Sequence, residues 1–261
     1  MVAGASFLQE KASGWNSRYL TFPFFAAIVI VLGVAAAVSL FHLGRPGRAI
    51  FALSNLKDSW LSREILFELL FIALTACLAL LISVKTYRPT LIRILLVLAG
   101  GASVLFFVCM SRIYMMRTVP AWRGFYTPLS FLGSTLLLGS LGAASSYDWL
   151  LDLGRRVRPF LDASAVIALA AVVLILFTIF LFSPGLGLFR PKKATLLELP
   201  PSKMYPALIV RLVFLLGAVL FCFLYGKSHT SWLLTPAFLC AAAAEGAGRY
   251  LFYAVRSRLG V

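Results

Sequence analysis

Long apolar runs constrain this chain more than any other feature of its sequence. A transmembrane helix needs roughly 20 mostly apolar residues to cross about 30 Å of hydrocarbon, and seven runs of about that length follow one another here. The connections between the runs hold most of the charged residues. We therefore predict transmembrane helices at residues 22–43, 65–84, 92–110, 126–146, 160–182, 205–225 and 231–253.

Composition supports the same class of protein. Hydrophobic residues make up 61% of the chain and charged residues 13%, whereas a soluble domain carries about 25% charged residues. No internal repeat and no Gly/Ser linker divides the chain. The predicted fold class is all-α, a polytopic integral membrane bundle of about seven transmembrane helices. Residues 1–21 are predicted to be a polar, interfacial N-terminal segment, and residues 22–261 a single transmembrane helix-bundle domain.

Alternation of the spans sorts the connections onto two faces. The connections after the first, third and fifth spans lie on one side of the membrane with the C-terminus, and we call this side face A. Face A receives His42 with residues 44–63, then residues 112–123 and 184–203, and the end of the last span. The segment that leads from His42 to Trp60 predicts a short interfacial helix with Trp60 as its anchor.

Ionisable residues inside the spans are the strongest functional signals, because a charge in hydrocarbon costs several kcal/mol unless it is paired, neutralised or hydrated. Glu64, Glu68 and Glu245 lie in or at the mouths of apolar runs. Structural roles are open as well, since Glu64 could cap its helix and Glu245 could pair with Arg249 one turn later. The functional alternative is a proton relay through Glu64, Glu68, Glu245 and Arg249.

His42 and Glu64 are expected at one depth on face A, beneath Arg45 and Arg48. Histidine exchanges a proton near neutral pH, and a carboxylate can relay that proton to water. Arginines can donate hydrogen bonds to quinone oxygens. This chemistry suits the head group of a quinol, but the same residues could instead line an ion or proton path. The aromatic residues expected nearby are Tyr114, Trp122 and Tyr126.

Several cofactors are not expected in this chain. Its two histidines, His42 on face A and His229 on the opposite face, lie about 30 Å apart and cannot both ligate one haem. The four cysteines fall inside predicted spans without C-x-x-C spacing, so neither an iron–sulfur cluster nor a zinc site is indicated. We predict no haem and no metal. Motifs of self-contained hydrolases, ATPases and dehydrogenases are absent from the sequence.

Several sequence blocks resemble one family of membrane proteins. They are His-Leu-Gly-Arg-Pro-Gly-Arg-Ala from His42, Ser-Trp-Leu-Ser-Arg-Glu ending at Glu64, Arg112 with Tyr114, Thr-Val-Pro-Ala-Trp ending at Trp122, and Glu-Gly-Ala-Gly-Arg-Tyr-Leu-Phe-Tyr from Glu245. In these blocks the chain is similar to the membrane-anchor subunit of dimethyl sulfoxide reductase and of related molybdopterin–iron–sulfur oxidoreductases. The blocks extend from the first predicted helix to the last.

The resemblance implies a function and partners. Such an anchor binds menaquinol or menaquinone, carries no redox cofactor of its own, meets a four-cluster iron–sulfur subunit and tethers a molybdopterin catalytic subunit. By position, His42 and Glu64 match the family's quinol-site histidine and glutamate, whereas Glu68 has no counterpart that we recognise. Family members usually have eight spans, and seven are predicted here. The predicted quinone-binding set is His42, Arg45, Arg48, Glu64, Arg112, Tyr114 and Trp122.

Charge bears on orientation and docking. Fifteen of the 24 Lys and Arg residues fall on face A and nine on the opposite face, so the positive-inside rule favours a cytoplasmic face A in a bacterial or archaeal inner membrane. In the best-known members of the family that this chain resembles, the iron–sulfur face is periplasmic. A basic surface can also steer an acidic partner, and Arg190, Lys192 and Lys193 are the predicted docking residues. Anionic lipid head groups otherwise explain the net charge of +15, and no nucleic-acid binding is expected.

Three functions stay open on the sequence alone. The leading prediction is a quinone-reactive membrane subunit of a multi-subunit oxidoreductase, which exchanges electrons with an iron–sulfur partner. A small transporter or proton channel would need intramembrane acids across both halves of the bilayer, and here the acids crowd face A. The third possibility is a passive membrane tether without quinone reactivity.

Overall fold

The computed structural model describes residues 16–41, 46–83, 88–115, 122, 124–150, 158–182 and 201–256. These residues are almost entirely helical and contain no β-strand. The α-helices are α1 (Asn16–Phe41), α2 (Trp60–Ser83), α3 (Pro89–Tyr114), α4 (Tyr126–Leu150), α5 (Arg158–Phe182), α6 (Pro201–Ser228) and α7 (Leu234–Arg256), and two 3₁₀ helices cover Pro46–Asn55 and Ser231–Leu233.

Five of the helices are long and apolar enough to cross a membrane over their described residues. The described apolar part of α1 is shorter, at Phe24–Val38, and α7 carries three charged residues in its second half, Glu245, Arg249 and Arg256. Many large aliphatic side chains on these helices are exposed, as expected where lipid replaces water as the neighbour. The predicted all-α membrane bundle is confirmed. The five spans are Trp60–Ser83, Pro89–Tyr114, Tyr126–Ser146, Arg158–Leu181 and Met204–Ser228.

The helix ends differ from those predicted. Helix α1 begins at Asn16, inside the segment predicted to be interfacial, and α3 continues beyond both ends of the predicted span. Hydrocarbon thickness sets the length of the apolar run but not the length of the hydrogen-bonded helix, so helices continue into the polar residues on either side. The predicted interfacial helix is a 3₁₀ helix, Pro46–Asn55, and Trp60 is the first residue of α2.

The chain divides into two compact units, Met1–Ile113 and Tyr114–Val261. In the first unit, α1 and the 3₁₀ helix Pro46–Asn55 pack against α2. In the second unit, α4 packs on α5 and α7, and α6 packs on α7 and α5, so that the four helices close into a bundle.

Small residues bring the helices of the second unit together. Ala144 of α4 and Ala237, Ala241 and Ala244 of α7 are fully buried. In a membrane, apolar burial gives helices no preference for one another over lipid, so close backbone packing at small residues stabilises the bundle instead. This packing positions the polar groups of the same helices described below.

Candidate functional site

Two guanidinium groups lie near the indole ring of Trp60, in the first unit. The Cζ atom of Arg63 lies 4.4 Å from the centre of the indole ring, and that of Arg112 lies 5.8 Å from it. Both distances fall within the range of a cation–π contact. These contacts bring Arg112, which was predicted for the quinone site, to the beginning of α2.

Side-chain hydrogen bonds fix the turn that precedes α2. Ser59 Oγ accepts a hydrogen bond of 3.2 Å from a backbone N–H of the first helical turn, which makes Ser59 the N-cap. Arg63 Nε donates to the Leu56 carbonyl at 2.8 Å, and its Nη2 donates to the Lys57 carbonyl. The capping role that the sequence left open for Glu64 is therefore filled by Ser59.

Glu64 and Glu68 lie one turn apart on α2 and are both half-buried. They fall within the membrane span Trp60–Ser83. Neither carboxylate makes a hydrogen bond or a salt bridge to another residue in the described part of the chain. Two carboxylates side by side in a span are costly, so their presence needs an explanation beyond helix packing.

Trp122 is the centre of an aromatic cluster in the second unit. Its indole is 1% exposed and stacks on Phe252, with centroids 4.8 Å apart and planes inclined by 2°. Trp122 Nε1 donates a hydrogen bond of 3.2 Å to the Phe252 carbonyl. Tyr114 packs edge-on against Trp122 at 5.6 Å, and the hydroxyl groups of Tyr114 and Tyr253 are hydrogen-bonded at 2.9 Å. The structure thus brings together two residues predicted for the quinone site, Tyr114 and Trp122.

Arg211 of α6 and Glu245 of α7 form a buried salt bridge. Arg211 Nη2 lies 3.1 Å from Glu245 Oε1, and the two residues are 7% and 4% exposed. Ser134 of α4 donates a hydrogen bond to the other carboxylate oxygen, Oε2. The carboxylate therefore has a charged partner on one oxygen and a hydroxyl group on the other, as a buried ion requires.

Arg249 has an aromatic neighbour instead. Its Cζ atom lies 4.3 Å from the centre of the Phe131 ring, a cation–π distance, and the Phe131 ring lies 5.3 Å from that of Tyr114. The sequence left open an ion pair between Glu245 and Arg249. Within the described residues, the salt bridge of Glu245 is made with Arg211.

A cavity opens next to Arg211. It offers about 50 Å³ to a water-sized molecule. Its lining comes from α4, α5, α6 and α7, all in the second unit. The polar residues of the lining are Tyr126, Thr127, Ser130, Thr178 and Arg211.

Gly248 leaves the space that Arg211 occupies. A Cβ atom at position 248 would lie 2.7 Å from Cζ and 2.8 Å from Nε of Arg211. Arg211 Nε is itself buried and has no hydrogen-bond partner within the described residues. A buried donor without a partner costs about 1–3 kcal/mol.

The structure describes only part of the predicted site. His42 and Arg45 lie outside the described residues, as do the three predicted docking residues Arg190, Lys192 and Lys193. Arg48 lies in the 3₁₀ helix Pro46–Asn55, and only its backbone is described. The remaining predicted residues are Glu64, Glu68 and Arg112 in the first unit and Tyr114, Trp122, Glu245 and Arg249 in the second.

Sequence reasoning missed Arg211 as the partner of Glu245. A signal was available, because an arginine inside a membrane span almost always pairs with another residue, and Glu245 is one of few candidate acids. Nothing in the sequence indicated that Ser134 would contact Glu245. Serine hydroxyls in helices commonly bond to the carbonyl one turn back, and Ser134 also does so, to Ser130 at 2.9 Å.

The groups brought together can donate and accept hydrogen bonds, hold charge and exchange protons. Within the parts of the chain that the structure describes, no group of three or more His, Cys, Asp or Glu side chains could hold a metal ion. The described groups supply hydrogen-bond donors and acceptors and exchangeable protons in an apolar surrounding.

Comparison with known proteins identifies relatives over the full chain. A family model described as DMSO reductase anchor subunit (DmsC) matches residues 1–255. The anaerobic dimethyl sulfoxide reductase protein YnfH of Escherichia coli K12 is 28% identical over 269 aligned positions, which cover 100% of this chain and 90% of the relative. A polypeptide of the anaerobic dimethyl sulfoxide reductase of Haemophilus influenzae is 28% identical over 97% of this chain and 88% of its own length.

A more distant likeness covers about half of the chain. A sulfite dehydrogenase polypeptide of Allochromatium vinosum is 32% identical over 158 residues, which are 56% of this chain and 45% of that protein. No solved structure gives a significant match.

Proposed function

Because this chain belongs to the family of DMSO reductase anchor subunits, membrane anchors of molybdoenzyme complexes, we propose that it also binds menaquinol or menaquinone and exchanges electrons with an iron–sulfur partner. The family resemblance predicted from the sequence is confirmed, and it covers the chain from residue 1 to residue 255. The chain is accordingly a multi-pass membrane protein.

The observation that carries quinone binding is the pair of carboxylates on α2. Glu64 and Glu68 are half-buried within a membrane span and have no described hydrogen-bond or ion-pair partner. Carboxylates in such a position are usually functional, because a merely structural role would not offset their cost. A ligand with exchangeable protons gives them a role.

The residues of the first unit fit a quinone head group. Glu64 can accept a hydrogen bond from a ring hydroxyl group, and the apolar remainder of α2 suits a hydrophobic ring and tail. Arg112 and Trp60 lie at the beginning of the same helix. His42, Arg45 and Arg48 complete the proposed set by their positions in the sequence.

A bound quinol supplies two protons and two electrons. Glu64 takes up a proton at its carboxylate and releases it towards water at the end of α2. Glu68, four residues and about 6 Å further along the helix axis, holds a second exchangeable proton. His42 orients the ring by a hydrogen bond and exchanges a proton near neutral pH. Glu245 and Arg249, which lie in the second unit, are proposed as further proton-exchanging residues.

The partners follow from the same proposal. An iron–sulfur subunit with four clusters would receive or deliver the electrons, and a molybdopterin subunit would perform the terminal reaction of anaerobic respiration. Arg190, Lys192 and Lys193 are the proposed docking residues, since a basic surface steers an acidic partner. The bacterial sources of the relatives support an inner-membrane location, with anionic lipids as further partners. The excess of positive charge favours face A on the cytoplasmic side.

Binding of a quinol analogue tests the proposal. Fluorescence quenching of a hydroxyquinoline inhibitor is titrated in membranes that contain the complex with the unchanged chain, with His42→Ala or with Glu64→Gln. We expect stoichiometric binding that both substitutions abolish. A matched control is Cys77→Ala, which alters an exposed residue on the same helix and should leave binding intact.

Assembly must be measured beside binding. The partner subunits should stay bound to each variant when the complex is purified. Absent quenching in the unchanged complex, or quenching that neither substitution alters, contradicts the proposal and leaves a passive tether or a transporter.

A further inference from the structure

We propose that Arg63 is a positioning residue of the quinone site at Glu64, where it holds the turn before α2 and, with it, the 3₁₀ helix Pro46–Asn55. The inference rests on the proposed function, because the site that Arg63 serves is the proposed quinone site. It adds a residue that lies outside the predicted quinone-binding set and acts through its neighbours instead of through the ring.

Arg63 joins the first turn of α2 to the segment that precedes it. Its Nε donates a hydrogen bond of 2.8 Å to the Leu56 carbonyl, and its Nη2 donates to the Lys57 carbonyl. These two carbonyls directly follow the 3₁₀ helix Pro46–Asn55, which packs against α2. A guanidinium group presents its N–H groups in a rigid, planar fork, so two bonds to neighbouring carbonyls fix the orientation of the segment as well as its distance.

The other side-chain bonds of this segment are more local. Asn55 Oδ1 accepts a hydrogen bond of 3.2 Å from the Asp58 N–H, and Ser54 Oγ donates to the Phe51 carbonyl at 2.6 Å. Each of these bonds joins residues three positions apart and shapes the turn itself. The bonds of Arg63 reach back six and seven positions, so they determine how the whole segment lies on α2.

Arg63 also holds the indole ring of Trp60. Its Cζ atom lies 4.4 Å from the centre of that ring, and the Cζ atom of Arg112, from α3, lies 5.8 Å from the same centre. Trp60 and Glu64 are four residues apart and therefore share a face of α2, about 6 Å apart along the helix axis. A head group beside Glu64 would thus lie next to a ring whose position Arg63 sets.

Charge pairing does not account for Arg63. Its two hydrogen bonds go to backbone carbonyls, and neither of the salt bridges within the described residues includes Arg63 or Glu64. The contribution of Arg63 is therefore geometric. A residue that keeps the positive charge but lacks the planar fork should not replace it.

Hydroxyquinoline binding separates geometry from charge. Quenching is titrated in membranes that contain the complex with the unchanged chain, with Arg63→Lys, which keeps the charge, or with Arg63→Met, which keeps the length without donors. We expect the dissociation constant to rise about tenfold in both variants, as for one lost hydrogen bond. Arg93→Lys, at an exposed position of α3 in the same unit, is the matched control and should leave the constant unchanged.

A second variant distinguishes positioning from general stability. Arg48 lies in the 3₁₀ helix, and Arg48→Ala should itself weaken hydroxyquinoline binding. If Arg63 acts by holding this helix, Arg63→Lys should weaken binding much less in a chain that already carries Arg48→Ala, because coupled residues are not additive. Hydrogen exchange at residues 51–58 should be faster in Arg63→Lys than in the unchanged chain.

Each outcome decides the inference. Unchanged binding in Arg63→Lys, equal losses with and without the Arg48 side chain, or unchanged hydrogen exchange at residues 51–58 overturns it. If Glu64→Gln still abolishes binding in those cases, this inference alone fails and the proposed function stands. Absent binding in the unchanged complex instead contradicts the proposed function. The thermal unfolding temperature of each purified variant shows whether a loss of binding is a loss of fold, and losses that merely follow that temperature also overturn the inference.

Discussion

Arg211 Nη2 and Glu245 Oε1 lie 3.1 Å apart in a salt bridge that joins two neighbouring helices of the second unit. Withdrawing two ions from water costs several kcal/mol for each, and their mutual attraction offsets this only when further hydrogen bonds are present. Ser134 provides one such bond to the same carboxylate. The pair therefore sets how α6 lies against α7 and holds the guanidinium group beside the cavity.

Breaking this pair should destabilise the protein. Glu245→Ala leaves the Arg211 charge buried without its partner, which typically costs about 3–5 kcal/mol. We expect a lower thermal unfolding temperature of the purified complex and less of the protein in the membrane. The double variant Arg211→Met with Glu245→Leu removes both charges and should be more stable than Glu245→Ala. A double variant as unstable as the sum of its single changes would contradict this account.

Replacing two glycines of α4 by alanine should change the stability of the protein in opposite directions. A Cβ atom at Gly133 would lie 2.7 Å from Ile175 Cγ1 in the contact with α5, whereas a Cβ atom at Gly139 meets nothing within 4 Å. Gly133→Ala should cost about 1–3 kcal/mol through overpacking. Gly139→Ala should stabilise the helix by roughly 0.5–1 kcal/mol, since glycine loses more freedom on folding. Thermal unfolding of the two variants checks the contrast, which equal shifts would refute.

The hydrogen bond between Tyr225 and Asp162 should contribute measurably to the contact of α6 with α5. Tyr225 is 1% exposed, and its hydroxyl group donates to Asp162 Oδ1 at 2.8 Å. Hydrogen bonds between membrane helices average about 0.6 kcal/mol and reach about 1.7 kcal/mol, so Tyr225→Phe should destabilise by an amount in this range. Tyr250→Phe, at an exposed position of α7, is the matched control. Equal unfolding temperatures for the two variants would show that the bond contributes nothing.

The cap of α2 gives a prediction for the first unit. Ser59→Ala removes the oxygen that accepts a backbone hydrogen bond, and loss of an N-cap typically costs about 0.5–2 kcal/mol. Ser59→Asp keeps an acceptor at the same place and should retain most of the stability. Hydrogen exchange at residues 60–63 provides the measurement. Faster exchange in the alanine variant but not in the aspartate variant is expected, and equal exchange in both would argue against the cap.

The membrane bundle could be predicted from the sequence because hydrocarbon thickness imposes a length on every apolar run. The helix ends could not be predicted in this way, because α1 continues back to Asn16 and α3 continues forward to Tyr114 through polar residues. Local spacing offered Arg249 as a partner of Glu245, because a residue four positions away shares a helix face. The observed partner, Arg211, lies 34 positions away on another helix, and only the packed bundle determines that such residues meet.

The aromatic cluster, too, could be predicted only in part from the sequence. The sequence predicted Tyr114 and Trp122 on face A, because alternation of the spans assigns residues 112–123 to that face. The stacking of Trp122 on Phe252 joins residues 130 positions apart along the sequence, and its geometry depends on how α7 packs. The cavity beside it was not predicted, because an empty space belongs to no single residue.

Helix α6 makes polar contacts with its neighbours at two positions along its length. Arg211 forms a salt bridge with Glu245 of α7, and Tyr225 donates a hydrogen bond to Asp162 of α5. Fourteen residues separate Arg211 from Tyr225, which is about 21 Å along the helix axis. Sliding α6 along its axis by one turn would break both contacts at once. The two contacts therefore fix the axial position of α6 relative to α5 and α7.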